Sequence, residues 1–179
     1  MKKNKGFSLI ELVVVIAIMA LLMTGVAISI FSQQSWKCRQ AKDEVCTYLQ
    51  QTRAEALAKT GAWVEICYED GQCVVKPSYA GDQKLGESVR VFYYSSADGG
   101  ATPIEIDSSH SLVLTYSRGT GAFQTMKTKA EKDASGNITY TEAGPDVYCQ
   151  KIRITGVDGV DGYTITLYKE TGKYECVKE

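Results

Sequence analysis

One carboxylate, Glu11, stands in an otherwise uncharged run of 25 residues from Phe7 to Phe31. Carried into a hydrocarbon core, it costs roughly 2.5–3.5 kcal/mol unless something neutralises it. The residues before it offer a partner. Met1-Lys2-Lys3-Asn4-Lys5-Gly6 is a short basic leader ending in glycine, small enough to let a protease reach the backbone. Cleavage between Gly6 and Phe7 would leave a new α-amino group four residues from Glu11. The two opposite charges can then pair, within one chain or between copies.

Six cysteines are the second set of reactive groups. The lysines of the leader favour a cytoplasmic N-terminus, which puts everything after Phe31 outside, where disulfides form and persist. Six cysteines allow 15 connectivities. Cys38 and Cys46 are eight residues apart on one predicted helix, so about 12 Å of rise keeps them from bridging each other. Cys67 and Cys73 flank Tyr68-Glu69-Asp70-Gly71-Gln72, a turn signal, and a cross-strand bridge between them is expected. Cys149 and Cys176 lie on predicted C-terminal strands, and their pairing would pin the chain end. In an anaerobic host these groups would stay thiols.

The other polar groups make no catalytic constellation, and no enzyme is expected. The single histidine, His110, sits in Ser108-Ser109-His110-Ser111 at a strand start, with no second histidine for a metal site and no Gly-x-Ser-x-Gly beside it. Arg118-Gly119-Thr120-Gly121 lacks the lysine and following helix of a phosphate loop. Asp158 and Asp161 offer oxygen ligands, but two Asp-Gly pairs between Ile154 and Tyr163 are what a tight hairpin demands. Calcium there is not expected, nor is any other cofactor. Lys127, Lys129 and Lys132 are interrupted by Glu131 and Asp133, and Lys151 alternates with Arg153 on a strand. A solvated loop explains the first group better than a DNA surface.

The elements that position these groups are legible from periodicity. Cys38, Ala41, Val45, Leu49, Thr52 and Ala56 recur at helical spacing, with Lys42, Asp43, Glu44, Gln50, Gln51 and Glu55 elsewhere round the helix. One long helix is predicted over residues 8–59, with Gly61 ending it as a C-cap. Only Thr24-Gly25 offers a weak point in its apolar half. Trp36 just past that half suits an interfacial anchor. From Ala62 the period becomes two, predicting strands at 63–68, 73–76, 88–94, 111–116, 122–126, 148–155, 163–168 and 173–177. Turn signals such as Asp70-Gly71, Arg118-Gly119 and Thr171-Gly172 separate them. The stretch 127–145 is polar and reads as an exposed excursion. The expected fold is α+β, a long helix packed on a mainly antiparallel β head. Its parts are a leader (1–6), a membrane-spanning helix (7–31), an amphipathic continuation (32–60) and a single head domain (61–179).

The 25 residues from Phe7 reach about 37 Å as a helix, enough to cross a hydrocarbon core of about 30 Å. That is longer than a secretory h-region, no A-x-A site closes it, and a plain anchor has little use for Glu11. Hydrophobic content of 44% with 23% charged residues is globular. Removing the leader with its three lysines takes the net side-chain charge from −1 to −4, which disfavours generic nucleic-acid binding.

With its basic leader, the Gly6/Phe7 junction and Glu11, "KGFSLIELVVVIAIMALL" resembles the type IV pilin and type II secretion pseudopilin superfamily. The resemblance implies cleavage after Gly6 by a prepilin peptidase and methyltransferase, N-methylation of Phe7, and packing of the helices into a filament in which Glu11 sets subunit register. It implies three partners: other pilin or pseudopilin subunits, an inner-membrane assembly platform, and lipid before assembly. The precursor would be single-pass in the cytoplasmic membrane, and the assembled subunit part of a pilus or pseudopilus at the surface or in the periplasm. "TYLQQTRAEALAKTGAWVEIC", "LTYSRGTGAF" and "YTITLYKETGKYEC" make the head similar to GspH/FimT-type minor pilins. Some minor pilins of competence systems bind DNA, so a DNA- or ligand-binding tip module is the alternative.

Overall fold

The computed structural model describes the backbone of residues 9–58, 62–132, 138–157, 159 and 162–179, and their side chains except 23–33, 129–132, 138 and 140. The chain falls into two compact units, residues 1–34 and 35–179. Helix α1 spans Leu9–Ala58 and runs unbroken through Thr24-Gly25. Expected contributions from residues 8 and 59 and the Gly61 cap lie outside the described residues.

Among the described residues, eleven strands follow in the second unit: β1 (Trp63–Glu69), β2 (Gln72–Pro77), β3 (Gln83–Gly86), β4 (Val89–Ser95), β5 (Pro103–Glu105), β6 (Leu112–Thr115), β7 (Lys127–Lys132), β8 (Ile138–Glu142), β9 (Cys149–Gly156), β10 (Tyr163–Tyr168) and β11 (Lys173–Lys178). They form two sheets, β3-β2-β1-β6-β7-β8 and β11-β10-β9-β4-β5. Neighbouring strands pair antiparallel throughout. The fold is α+β and pilin-like, a helix followed by mainly antiparallel sheet.

The helical stripe read from the sequence is the face that the second unit buries. Cys38, Ala41, Val45, Leu49, Thr52 and Ala56 are each at most 1% exposed. Ala41, Val45, Leu49 and Ala56 join one core with Val64, Ile66 and Leu114 of the first sheet and Val91, Ile154 and Ile165 of the second. Thr52 keeps its hydroxyl satisfied by donating 2.6 Å to the Tyr48 carbonyl one turn back. Between β1 and β2, Asp70 and Gly71 both take positive φ, 50° and 82°, as a two-residue primed turn requires.

Two stretches depart from the sequence reading. Residues 122–126 form no strand; only Phe123 bridges, to Tyr116. The amides of Phe123, Gln124 and Met126 bond to the carbonyls of Lys169, Thr115 and Val147, three separate segments, so no ladder propagates. The expected excursion over 127–145 contains β7 and β8, a hairpin at the edge of the first sheet. Polar, charged strands suit such an edge, and that is what hid them.

Candidate assembly site

The first unit carries the helix's apolar half. Glu11 lies in the first turn of α1. Every described side chain from Leu9 to Leu22 is exposed, from Val15 at 46% to Leu9 at 81% among the large apolar ones. A contiguous apolar surface of this kind marks a membrane or protein contact. Among the described residues no helix is long and apolar enough to cross a membrane; the side chains described in this unit stop at Leu22 and resume at Gln34. Gly6 and Phe7 lie outside the described residues.

Residues 1–31 match the prokaryotic N-terminal methylation motif. The motif supports a type IV pilin-like subunit, with prepilin peptidase processing, a membrane-anchored precursor and other pilin subunits as partners. It is carried by the leader and the first part of α1, the stretch that holds Gly6, Phe7 and Glu11. No curated protein and no solved structure matches the chain.

The cysteines are placed differently from expectation. Cys67 pairs with Val74 and Cys73 with Tyr68, so Cys67 and Cys73 point to opposite faces of the β1–β2 hairpin and do not meet. Burial pushes the Cys67 thiol up to about 12 and that of Cys73 to about 11. Cys149 and Cys176 do not meet either, because β10 runs between their strands. Two strand spacings are roughly 9–10 Å, beyond the Cα separation a disulfide spans. Buried Cys149 donates to the Lys151 carbonyl at 3.4 Å, and burial pushes its thiol up to about 12. Cys176 instead lies with its Sγ 3.0 Å from that of Cys46 on α1. Periodicity places Cys46 beside the buried stripe but says nothing of which strand passes it.

One cleft of about 340 Å³ brings together groups that the sequence reading kept apart, among them Glu65, Cys67, Asp107, His110 and Ser111. The exposed His110 has Nδ1 3.0 Å from Asp107 Oδ1. Backbone amides of Ser109 and His110 also donate to Asp107, and these bonds hold its carboxyl below the usual range. The Ser111 hydroxyl lies 2.6 Å from the Thr128 carbonyl and 3.1 Å from the Glu65 carboxylate. Burial thus favours the thiol form of Cys67, the less nucleophilic one.

Of the basic groups, Arg153 is taken by Glu179, Nε to Oε2 at 2.7 Å, and Glu179 also accepts from Thr164. Lys127 and Lys129 sit on β7, paired with Glu142 and Thr141 of β8. Among the described residues no group of histidine, cysteine and carboxylate side chains is arranged to hold a metal ion; Asp158 and Asp161 lie outside them.

Proposed function

We propose that this chain is a minor pilin or pseudopilin of GspH/FimT type, cut after Gly6, methylated on Phe7, and built into a filament through α1. The carrying observation is the exposed apolar surface of Leu9–Leu22 with one carboxylate, Glu11, in its first turn, inside the stretch matched by the methylation motif. Burying such a surface is favourable by about 25 cal/mol per Å², whether lipid or neighbouring helices cover it. The same residues therefore serve two states in turn. In the precursor they sit in the bilayer as a single span, with the leader on the cytoplasmic side and the head outside. In the filament they pack among the helices of other subunits, and Glu11 meets the amine of a neighbouring Phe7, which fixes the register of each incoming copy.

The experiment is the N-terminal mass of the protein recovered from host membranes. A chain beginning at methylated Phe7 is the expected result. An intact Met1, or a cut near residue 30, overturns the assembly mechanism.

A further inference from the structure

Along one side of α1, residues 42, 46 and 53 form a seam with the edge of the second sheet. Lys42 lies over the Tyr163 ring, its Nζ 5.6 Å from the centroid. Cys46 meets Cys176, Sγ to Sγ, at 3.0 Å. The Tyr174 hydroxyl donates to the Cys46 carbonyl at 3.1 Å. Arg53 Nε donates to the Gly121 carbonyl at 3.2 Å, beside Gly172 at the β10–β11 turn. Cys176 pairs with Ile165 and Tyr174 with Leu167, both buried, so both β11 side chains lie on the inner face of the sheet. The sulfur contact is thus one rung of a register fixed above and below it.

We propose that Cys46 and Cys176 are joined by a disulfide that fastens the C-terminal strand to α1. Strand β11 needs such a fastening: it is the edge of its sheet, and Tyr174 is its one residue that is not exposed. An edge held by one ladder can open locally and offer its neighbour to another chain. The oxidant is a disulfide, that of a thiol–disulfide oxidoreductase or of glutathione. The exposed Cys176 thiolate attacks one sulfur of that disulfide, its S–S bond breaks, and one thiol leaves. Cys46 then gives its proton to solvent and attacks Cys176 Sγ, expelling the second thiol. Two protein thiols are oxidised and one disulfide is reduced to two thiols. Burial and the Cys176 contact push the Cys46 thiol up, while the nearby Lys42 ammonium favours its thiolate, so Cys46 is the resolving partner rather than the first attacker.

Closure in the cell rests on the reading that the head is exported; the pairing itself does not. The test takes the reduced full chain in detergent, adds oxidised glutathione, blocks residual thiols, and maps tryptic peptides without reduction. The expected product links Asp43–Arg53 to Tyr174–Lys178, each of which holds one cysteine, at 2 Da below the sum of their masses. A glutathione adduct on Cys176 with Cys46 still alkylable, or Cys176 linked to another cysteine, overturns the pairing. Cys46→Ser should stop at that adduct; if it yields another protein disulfide at Cys176 as readily, the pairing also fails. A chain that closes with glutathione but is recovered reduced from host envelopes supports the pairing and shows that the host compartment supplies no oxidant.

Discussion

The hydroxyl of Tyr116 donates to the carbonyl of Leu49 at 3.1 Å, from a buried ring onto the buried stripe of α1. Tyr174 does the same to Cys46 at 3.1 Å and Tyr79 to Tyr48 at 3.4 Å. Three carbonyls within a single turn of the helix, those of residues 46, 48 and 49, are thus tied to the head by phenols.

Tyr116→Phe removes only that oxygen and leaves the ring against Phe123, at 4.6 Å between centroids. The expected loss is about 1 kcal/mol, roughly 2–4 °C in thermal melting for a chain of this size. Burial pushes the Tyr116 pKa up, so its contribution is full below the unfolded value near 10 and declines as pH rises past it. The wild type should therefore lose its advantage over the variant above about pH 10; a difference that stays constant from pH 7 to 11 contradicts this account.

Gly172 has φ 62°, and a Cβ there would lie 1.6 Å from the carbonyl oxygen of Gly121. Gly119 has φ 86° with nothing within 4 Å. Gly119→Ala should cost about 1–2 kcal/mol of backbone strain alone. Gly172→Ala adds a backbone collision and should melt several degrees lower still. Equal melting of the two variants would show that the β10–β11 turn does not need the close approach.

The buried face of α1 was legible because helical period is local: Cys38 through Ala56 declare themselves within 19 residues. The Asp70-Gly71 turn was legible for the same reason. Cysteine partners were not, since they depend on register. A bridge between Cys67 and Cys73 needs the hairpin centred on Asp70, whereas the two-residue turn centres it between Asp70 and Gly71 and sends the sulfurs to opposite faces. Cys46 and Cys176 lie 130 residues apart, and no pattern in either neighbourhood points to the other. Strands β3 and β5 escaped notice because they are short and carry too few apolar residues to show a period of two.

Glu179 accepts from Arg153 and Thr164, and these bonds, the Thr164 hydroxyl foremost, hold its carboxyl below the usual range. Stability from a depressed carboxylate is present above its unfolded pKa near 4.3 and is lost as pH falls through the folded value. Glu179→Gln should therefore be less stable than wild type at pH 7 and indistinguishable from it near pH 2, in melts followed by circular dichroism. A gap that persists in acid assigns the effect to packing instead.

A Cys46–Cys176 bridge closes 130 residues of chain. Loop-closure entropy sets a ceiling of roughly 5 kcal/mol for such a span, and measured bridges typically give about 2–4. A phosphine reductant should lower the melting temperature of the oxidised protein by roughly 4–16 °C. Cys176→Ser should melt at the reduced temperature with or without reductant, because an exposed serine leaves no cavity. A wild type indifferent to reductant would remove the bridge from the stability of the head.

On the proposed function, substitutions of Glu11 should separate insertion from assembly. Glu11→Ala removes a carboxylate that costs roughly 2.5–3.5 kcal/mol in the bilayer, so insertion should be no weaker than in wild type. The Gly6/Phe7 junction is unchanged, so processing should proceed. On the proposed assembly, what the variant lacks is the charge that would meet a neighbour's Phe7 amine. A loss of even 1.4 kcal/mol at that contact is tenfold in incorporation, read as the ratio of variant in sheared filaments to variant in membranes. Glu11→Gln should fall with alanine, since it keeps the shape and loses the charge. If glutamine incorporates normally while alanine does not, the side chain acts by packing or neutral hydrogen bonding. If both incorporate normally, register is set elsewhere on α1.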